Sequence, residues 1–240
     1  VLLAIYGDSL SLPRHDLQVR REDTYAELIA ARLGEAGRRV MLYNRSLAGL
    51  PIGRMLEHFT ADVWYFGPLK HATCIIQLGI VDCAPRPVNS RAKARIDRLP
   101  SVIRGRIVAA IRRLRPTLIE HGLFTRETSE ADFRTRLAQL VHLAADNFGG
   151  VVVVNICPNH PNIDARSPKM RESIEAYNRI IAAVVADAGK PAVKLADVFS
   201  AISADGIDGR VNPVDGHHIS VAGHRTYADV VAQAITDVGR

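Results

Sequence analysis

The apolar positions of this chain fall into two kinds of run that alternate along it. Short stretches at 1–6, 39–43, 72–78, 151–154 and 192–196 are largely apolar with little polar alternation, as in strands buried on both faces of a parallel sheet. Between them, apolar residues recur every three or four positions, the period of a helix with one buried face. The first such stretch is capped at Asp23 or Thr24, runs to about Leu33 and turns Ala26, Ile29, Ala30 and Leu33 inward. Another covers about 52–59. Two follow Pro100, one with Val102, Ile103, Ile107, Ala110, Ile111 and Leu114 inward, the other with Phe133, Leu137, Leu140, Val141 and Ala144. A long helix at about 167–187 carries Ile174, Tyr177, Ile180, Ile181 and Val184, and a closing helix from near Ser220 carries Tyr227, Val230, Val231 and Ile235. Five strands alternating with helices, without internal repeat or linker, predict one doubly wound α/β domain over residues 1–240, with strand order 2-1-3-4-5.

Two stretches fit this rhythm poorly. Residues 82–101 hold Pro85, Pro87 and Pro100 among many arginines and are expected to form an irregular lid beside the site. Residues 61–66 concentrate bulky aromatics, Trp64, Tyr65 and Phe66, expected to pack in the core or under a loop.

Ligands of open α/β sheets bind beyond the carboxyl ends of the strands, so the turns leaving the strands carry the candidate chemistry. The first strand exits into Gly7-Asp8-Ser9-Leu10. A serine there is either a turn residue or a nucleophile, and as a nucleophile it needs a base. Near the other end of the chain lies Asp215-Gly216-His217-His218, where a carboxylate and an imidazole share one short loop. A histidine fixed by a carboxylate is the base that activates a serine, so Ser9, His218 and Asp215 are the candidate catalytic residues. His217 is expected at the rim, because neighbouring side chains point apart. Asn155 and Asn159, after the fourth strand, are further polar groups at a carboxyl end. The turn after the first strand lacks the second and third glycines of a dinucleotide fingerprint, which excludes that reading.

These blocks together resemble the GDSL or SGNH hydrolase family. Gly7-Asp8-Ser9-Leu10 is similar to its first block, Asn44-Arg45-Ser46-Leu47-Ala48-Gly49 to its second, Gly79-Ile80-Val81-Asp82 to its third and Asp215-Gly216-His217-His218 to its last, in the family's order. The resemblance implies a flavodoxin-like three-layer α/β/α fold and ester hydrolysis. It also implies that the backbone amides of Ser9 and Gly49 form the oxyanion hole. The family's third block reads Gly-x-Asn-Asp, and Val81 stands where that Asn would donate a third hydrogen bond. One missing donor is worth about 3 kcal/mol of transition-state stabilisation. Asn155, Asn159, Arg14, Arg86 and Asp82 are candidates for substitute donors or substrate contacts.

Composition narrows the remaining choices. With 48% hydrophobic and 23% charged residues, the 240-residue chain reads as an ordinary globular protein with neither a membrane span nor a visible signal peptide, so a cytoplasmic location is expected. Cys74, Cys83 and Cys157 have no paired spacing, which excludes a disulfide framework or a zinc site; no metal or other cofactor is expected. The net charge of +6 is concentrated in residues 86–115, ten Lys or Arg against Asp97 alone. Without interleaved aromatics this segment argues against nucleic acid and reads as a solvated helix face, with an anionic glycan surface as the alternative. The expected substrate is a small acyl ester, with an O-acetyl group on a sugar as the favoured case. Acyl transfer to a sugar hydroxyl and a silent glycan-binding module are the competing functions.

Overall fold

The structure, a computed structural model, describes residues 1–238, with Ser90 and Arg91 by backbone alone. Five strands, β1 (Leu2–Gly7), β2 (Met41–Asn44), β3 (Leu69–Gln77), β4 (Phe148–Val154) and β5 (Val193–Ala196), form one parallel sheet in the order β2-β1-β3-β4-β5. Ala4 lies between Tyr43 and Cys74 in register, and Ile75 lies opposite Val152. The central strands are apolar because both faces are covered: Leu3, Ile5, Ile75 and Val152 have no exposure. Helices α1 (Tyr25–Glu35), α8 (Val198–Asp205) and α9 (Val221–Val238) pack together as one layer, and α2 (Ile52–Phe66), α6 (Glu130–Asn147) and α7 (Met170–Asp187) as another. Three short or outlying helices complete the set: α3 (Ile80–Cys83), α4 (Ser90–Asp97) and α5 (Ser101–Glu120). The predicted three-layer architecture and strand order hold. The inward residues expected on α6 are all buried, as are Ile174, Tyr177, Ile181 and Val184 on α7.

Three local expectations fail, each for a physical reason. The aromatic residues Trp64, Tyr65 and Phe66 are not core. They continue α2, whose buried line is Ile52, Met55, Phe59 and Asp62, so helical spacing turns Trp64 and Tyr65 outward, 87% and 77% exposed. The expected inward face of α5 is also outward. Val102, Ile103 and Leu114 are exposed and Ile119 is the one buried residue on this helix, because α2, α6 and α7 already cover that side of the sheet. Residues 82–101 are not a plain loop either. They enclose α4, whose first turn is capped by Asn89 accepting the Ala92 amide, and Pro100 directly precedes α5. The prolines bound helices here rather than prevent them. No helix among the described residues is long and apolar enough to cross a membrane.

Candidate active site

All five strands end on one edge, and the turn after β1 is drawn tight there. A Cβ on Gly7 would lie 2.5 Å from Ser11 Oγ and 2.8 Å from Ser46 Oγ, so only glycine lets the strand close on both loops. Asp8 then caps a short 3₁₀ turn, Ser9–Ser11, by accepting the Leu10 amide at 3.0 Å. Behind it, Ser11 Oγ donates to Gln77 Oε1 at 2.8 Å and meets Tyr25 Oη at 2.8 Å, anchoring the turn to β3 and α1. Ser9 is thereby held with its hydroxyl toward the cleft.

The partner loop is organised by one carboxylate. Asp215 Oδ1 accepts the backbone amides of both His217 and His218 at 3.1 Å, while Oδ2 accepts from His218 Nδ1 at 2.6 Å. The loop is further pinned by Asn212 N donating to His218 O at 2.7 Å and by an isolated bridge between Val211 and Ile219. With Nδ1 donating to Asp215, Nε2 of His218 carries the lone pair, and it lies 2.9 Å from Ser9 Oγ. Serine, imidazole and carboxylate thus form an unbroken chain between residues more than two hundred positions apart. Burial works against the charge on Asp215, but the His218 hydrogen bond and the field of His217 outweigh it and hold the carboxyl well below the usual carboxylate range. Arg14 flanks the ring, its Nη1 2.6 Å from Nε2 and 2.8 Å from Nδ1, and is itself neutralised by two hydrogen bonds to Asp16.

A family model described as GDSL-like Lipase/Acylhydrolase matches residues 5–226. The chain belongs to this family. It is a carboxylic ester hydrolase of the SGNH type. Among solved structures it is similar to a lipase/acylhydrolase from Enterococcus faecalis, with 15% identity, TM-score 0.66 and coverage of 98% of this chain and 94% of that one. TesA matches with 20% identity, TM-score 0.63 and 99% coverage of both chains. The acetylxylan esterase Axe2 from Geobacillus stearothermophilus matches with 17% identity and TM-score 0.61, covering 100% of this chain and 94% of that one. No curated protein matches the chain by sequence.

In this GDSL-family chain the hydroxyl of Ser9 opens on a cleft of about 700 Å³, whose wall includes Gly49, Val81, Arg86, Asp215 and His217. Gly49 turns with φ of +70°, a conformation suited to glycine. Among the described residues, no protein group accepts the amide of Ser9 or of Gly49.

The other sequence candidates divide cleanly. Arg86 reaches the cleft, held there by Glu127 at 2.9 Å and by the carbonyl of Val81 at 2.9 Å. Asp82 does not. It is fully buried and accepts from Thr128 Oγ1 at 2.5 Å and from the Ile52 amide, fixing the start of α2. Asn155 instead donates to Asp197 at 2.6 Å and accepts the Phe199 amide, joining β4 to α8. Asn159 turns inward and donates to Asp164 at 3.0 Å. Asp82 and Asn155 are consumed by the scaffold, whose backbone amides and side chains supply their partners, whereas Asn159 is tied through its amide nitrogen alone and its buried Oδ1 has no hydrogen-bond partner. Of the expected lid, Ala84 and Arg86 line the cleft, and none of the described side chains of residues 87–101 does. Sequence reasoning passed over Arg112, Arg115 and Arg166, which all reach the cleft. The signal was present in the basic segment for the first two. Arg166 follows β4, where only the asparagines were singled out.

The cysteines are buried, and burial pushes the Cys157 thiol up to about 12 and those of Cys74 and Cys83 further. None supplies a thiolate at neutral pH. Asp215, His217 and His218 each bring one ligand atom within 4.8 Å of the others. A cation there would compete for lone pairs that already join Asp215 to His218 and His218 to Ser9, with a guanidinium nitrogen of Arg14 3.9 Å from Asp215. Those residues fit proton transfer better than a metal centre.

Proposed function

We propose that Ser9 is the nucleophile, His218 the general base and acid, and Asp215 the group that orients His218, acting on a small acyl ester. The observation that carries this reading is the 2.9 Å contact between Ser9 Oγ and a ring nitrogen whose opposite nitrogen is held by a carboxylate. Ser9 Oγ attacks the acyl carbonyl as its proton passes to His218 Nε2. The tetrahedral intermediate collapses, the C–O bond to the alcohol breaks, and the leaving alkoxide takes the proton from His218. Water then attacks the acyl-serine by the same route, releasing the acid and restoring Ser9.

Developing negative charge on the carbonyl oxygen falls to the amides of Ser9 and Gly49. Arg86, which donates to the carbonyl of Val81 and lines the cleft, is the candidate for the donor that the family's Asn would have supplied. A carbohydrate O-acetyl group is the substrate class we favour. The cleft volume suits an acetylated monosaccharide, and the fold is shared with an acetylxylan esterase. Helix α5, whose Arg112, Arg115 and Pro116 line the cleft, is the mobile cover we assign to the site in place of an irregular loop.

The test is mass-spectrometric mapping of a fluorophosphonate adduct, combined with 4-nitrophenyl acetate hydrolysis. Labelling at Ser9 and loss of turnover in Ser9→Ala are expected. A label elsewhere, or turnover that survives the substitution, would overturn the assignment. Release of free acetate rather than its transfer to an added sugar separates hydrolysis from acyl transfer.

A further inference from the structure

The cleft beside Ser9 is more cationic than ester hydrolysis requires. Arg86, Arg112, Arg115 and Arg166 all line it, and Asp215 is the one carboxylate among the lining residues. Asp215 is committed to His218, and Arg86 is paired with Glu127. The other three have no acidic partner among the described residues. Arg115 donates only to the carbonyl of Pro85 at 3.2 Å and to Ser167 Oγ at 3.3 Å, and its Nε is buried with no hydrogen-bond partner. Arg166 donates to the carbonyls of Asp215 at 2.8 Å and Val214 at 3.5 Å. Arg112 makes no hydrogen bond or ion pair. Burial, and then the like charges of Arg86 and Arg166, push the Arg115 guanidinium below its ordinary range.

Arg115 is half-buried and Arg112 and Arg166 are exposed, so what the three share is a concentration of like charge in one concave wall, which an anion held by several charged hydrogen bonds would neutralise. Ile80, Val81, Ile163 and Met170 give the same wall an apolar portion, which would shield such a contact from water on one side. Position rather than burial separates the residues of this helix: Arg112 is exposed, as Arg104, Arg106 and Arg113 are, but Arg112 and Arg115 line the cleft and those three do not. We infer that the ester this protein hydrolyses carries an anionic group, a carboxylate or a phosphate, bound by Arg112, Arg115 and Arg166 while its acyl carbonyl sits at Ser9. An O-acetylated sugar acid fits that description. The inference rests on the serine-esterase reading above and adds the charge of the substrate to it.

The test uses the full chain and matched ester pairs. On the acyl side, the 4-nitrophenyl monoester of succinate is compared with its neutral methyl ester. On the alcohol side, O-acetylated galacturonate is compared with O-acetylated methyl galactoside. The readout is the ratio of kcat/KM for the anionic over the neutral member, which cancels general damage to the enzyme. A ratio of about ten or more in at least one pair is expected, since each charged hydrogen bond is worth about that factor. It should shrink with added salt. Arg112→Gln cuts no structural contact and should lower the ratio about tenfold, and Arg112→Glu should lower it further. Arg104→Glu, away from the cleft, should leave it unchanged. A ratio near one in both pairs with intact turnover would overturn the inference and leave the esterase reading standing. An equal fall in Arg104→Glu would overturn it too, by assigning the effect to diffuse charge. Failure to turn over any ester, with no fluorophosphonate adduct on Ser9, would instead sink the esterase reading and the inference with it.

Discussion

Asp8 stands next to Ser9, the proposed nucleophile. Its carboxyl is fully buried, with Oδ1 accepting the Leu10 amide and Oδ2 without a partner. Burial raises its pKa from 3.8 to about 7, with the Leu10 hydrogen bond pulling partway back. The folded protein therefore keeps the Asp8 proton over a pH range in which the unfolded chain has lost it. There the native state binds more protons than the unfolded one, so stability is full below about pH 4 and falls as pH rises, levelling off above about 7. Each pH unit between the two values costs a factor of ten in the folding equilibrium, about 4 kcal/mol in all by this group.

Asp8→Asn tests this directly, because the amide keeps an oxygen for the Leu10 cap and never ionises. Urea unfolding of both proteins, followed by tryptophan fluorescence from Trp64 and by circular dichroism, gives their stability difference at each pH. Its absolute value includes the changed packing of an amide. Its change with pH does not. The advantage of Asp8→Asn should grow by roughly 3 kcal/mol between pH 4.5 and 8 and stop growing beyond that. A difference that is flat across this range would refute the reasoning, and would mean that Asp8 is ionised in the native protein and stabilised by more than the Leu10 amide.

Other outcomes follow from the same coordinates. If Arg86 stands in for the family's third donor, Arg86→Met should lower kcat on a neutral ester by about 10²-fold with little change in KM, and Val81→Asn in that background should recover part of the loss. Recovery should be absent if Arg86 matters only through its tie to Glu127, so the two roles separate in steady-state kinetics. Helix α5 buries one residue, so in hydrogen exchange its amides should lose protection well before those of α6, which buries five. Equal protection of the two helices would refute the assignment of α5 as a mobile cover.

The sequence made legible what depends on short-range pattern. The strands read as unbroken apolar runs because β1, β3 and β4 are covered on both faces, and the strand order follows from alternation with helices. Periodicity named the buried faces of α6 and α7 because those helices lie on the sheet. The same periodicity on α5 misled, since a hydrophobic spacing says which residues share a face and not whether anything covers it. The aromatic residues 64–66 misled for the opposite reason: their bulk suggested burial, while three consecutive positions on a helix point in different directions. Asp82, Asn155 and Asn159 were plausible at strand ends, yet their roles depended on the distant amides and side chains of Ile52, Thr128, Asp164, Asp197 and Phe199, which no local pattern reveals.

That contrast also separates two parts of the site by what each depends on. Asp215 assembles its own loop, taking two backbone amides with one oxygen and the His218 ring with the other, so the acid-base unit is nearly complete within four residues. Ser9 is fixed by a turn that β1, β3 and α1 hold rigid. Each half is locally determined, and the sheet needs only to bring two finished pieces into contact. The cationic wall is built the other way, from α5 and the loops after β3 and β4, and two of its arginines sit on a helix that buries only Ile119. Substitutions there disturb little of the core, whereas changes at Gly7 or Asp215 dismantle the turn or the loop itself. The proposed reactivity is therefore tied to the stability of the fold, while the proposed preference for an anionic substrate can be altered at Arg112, which makes no contact the fold depends on.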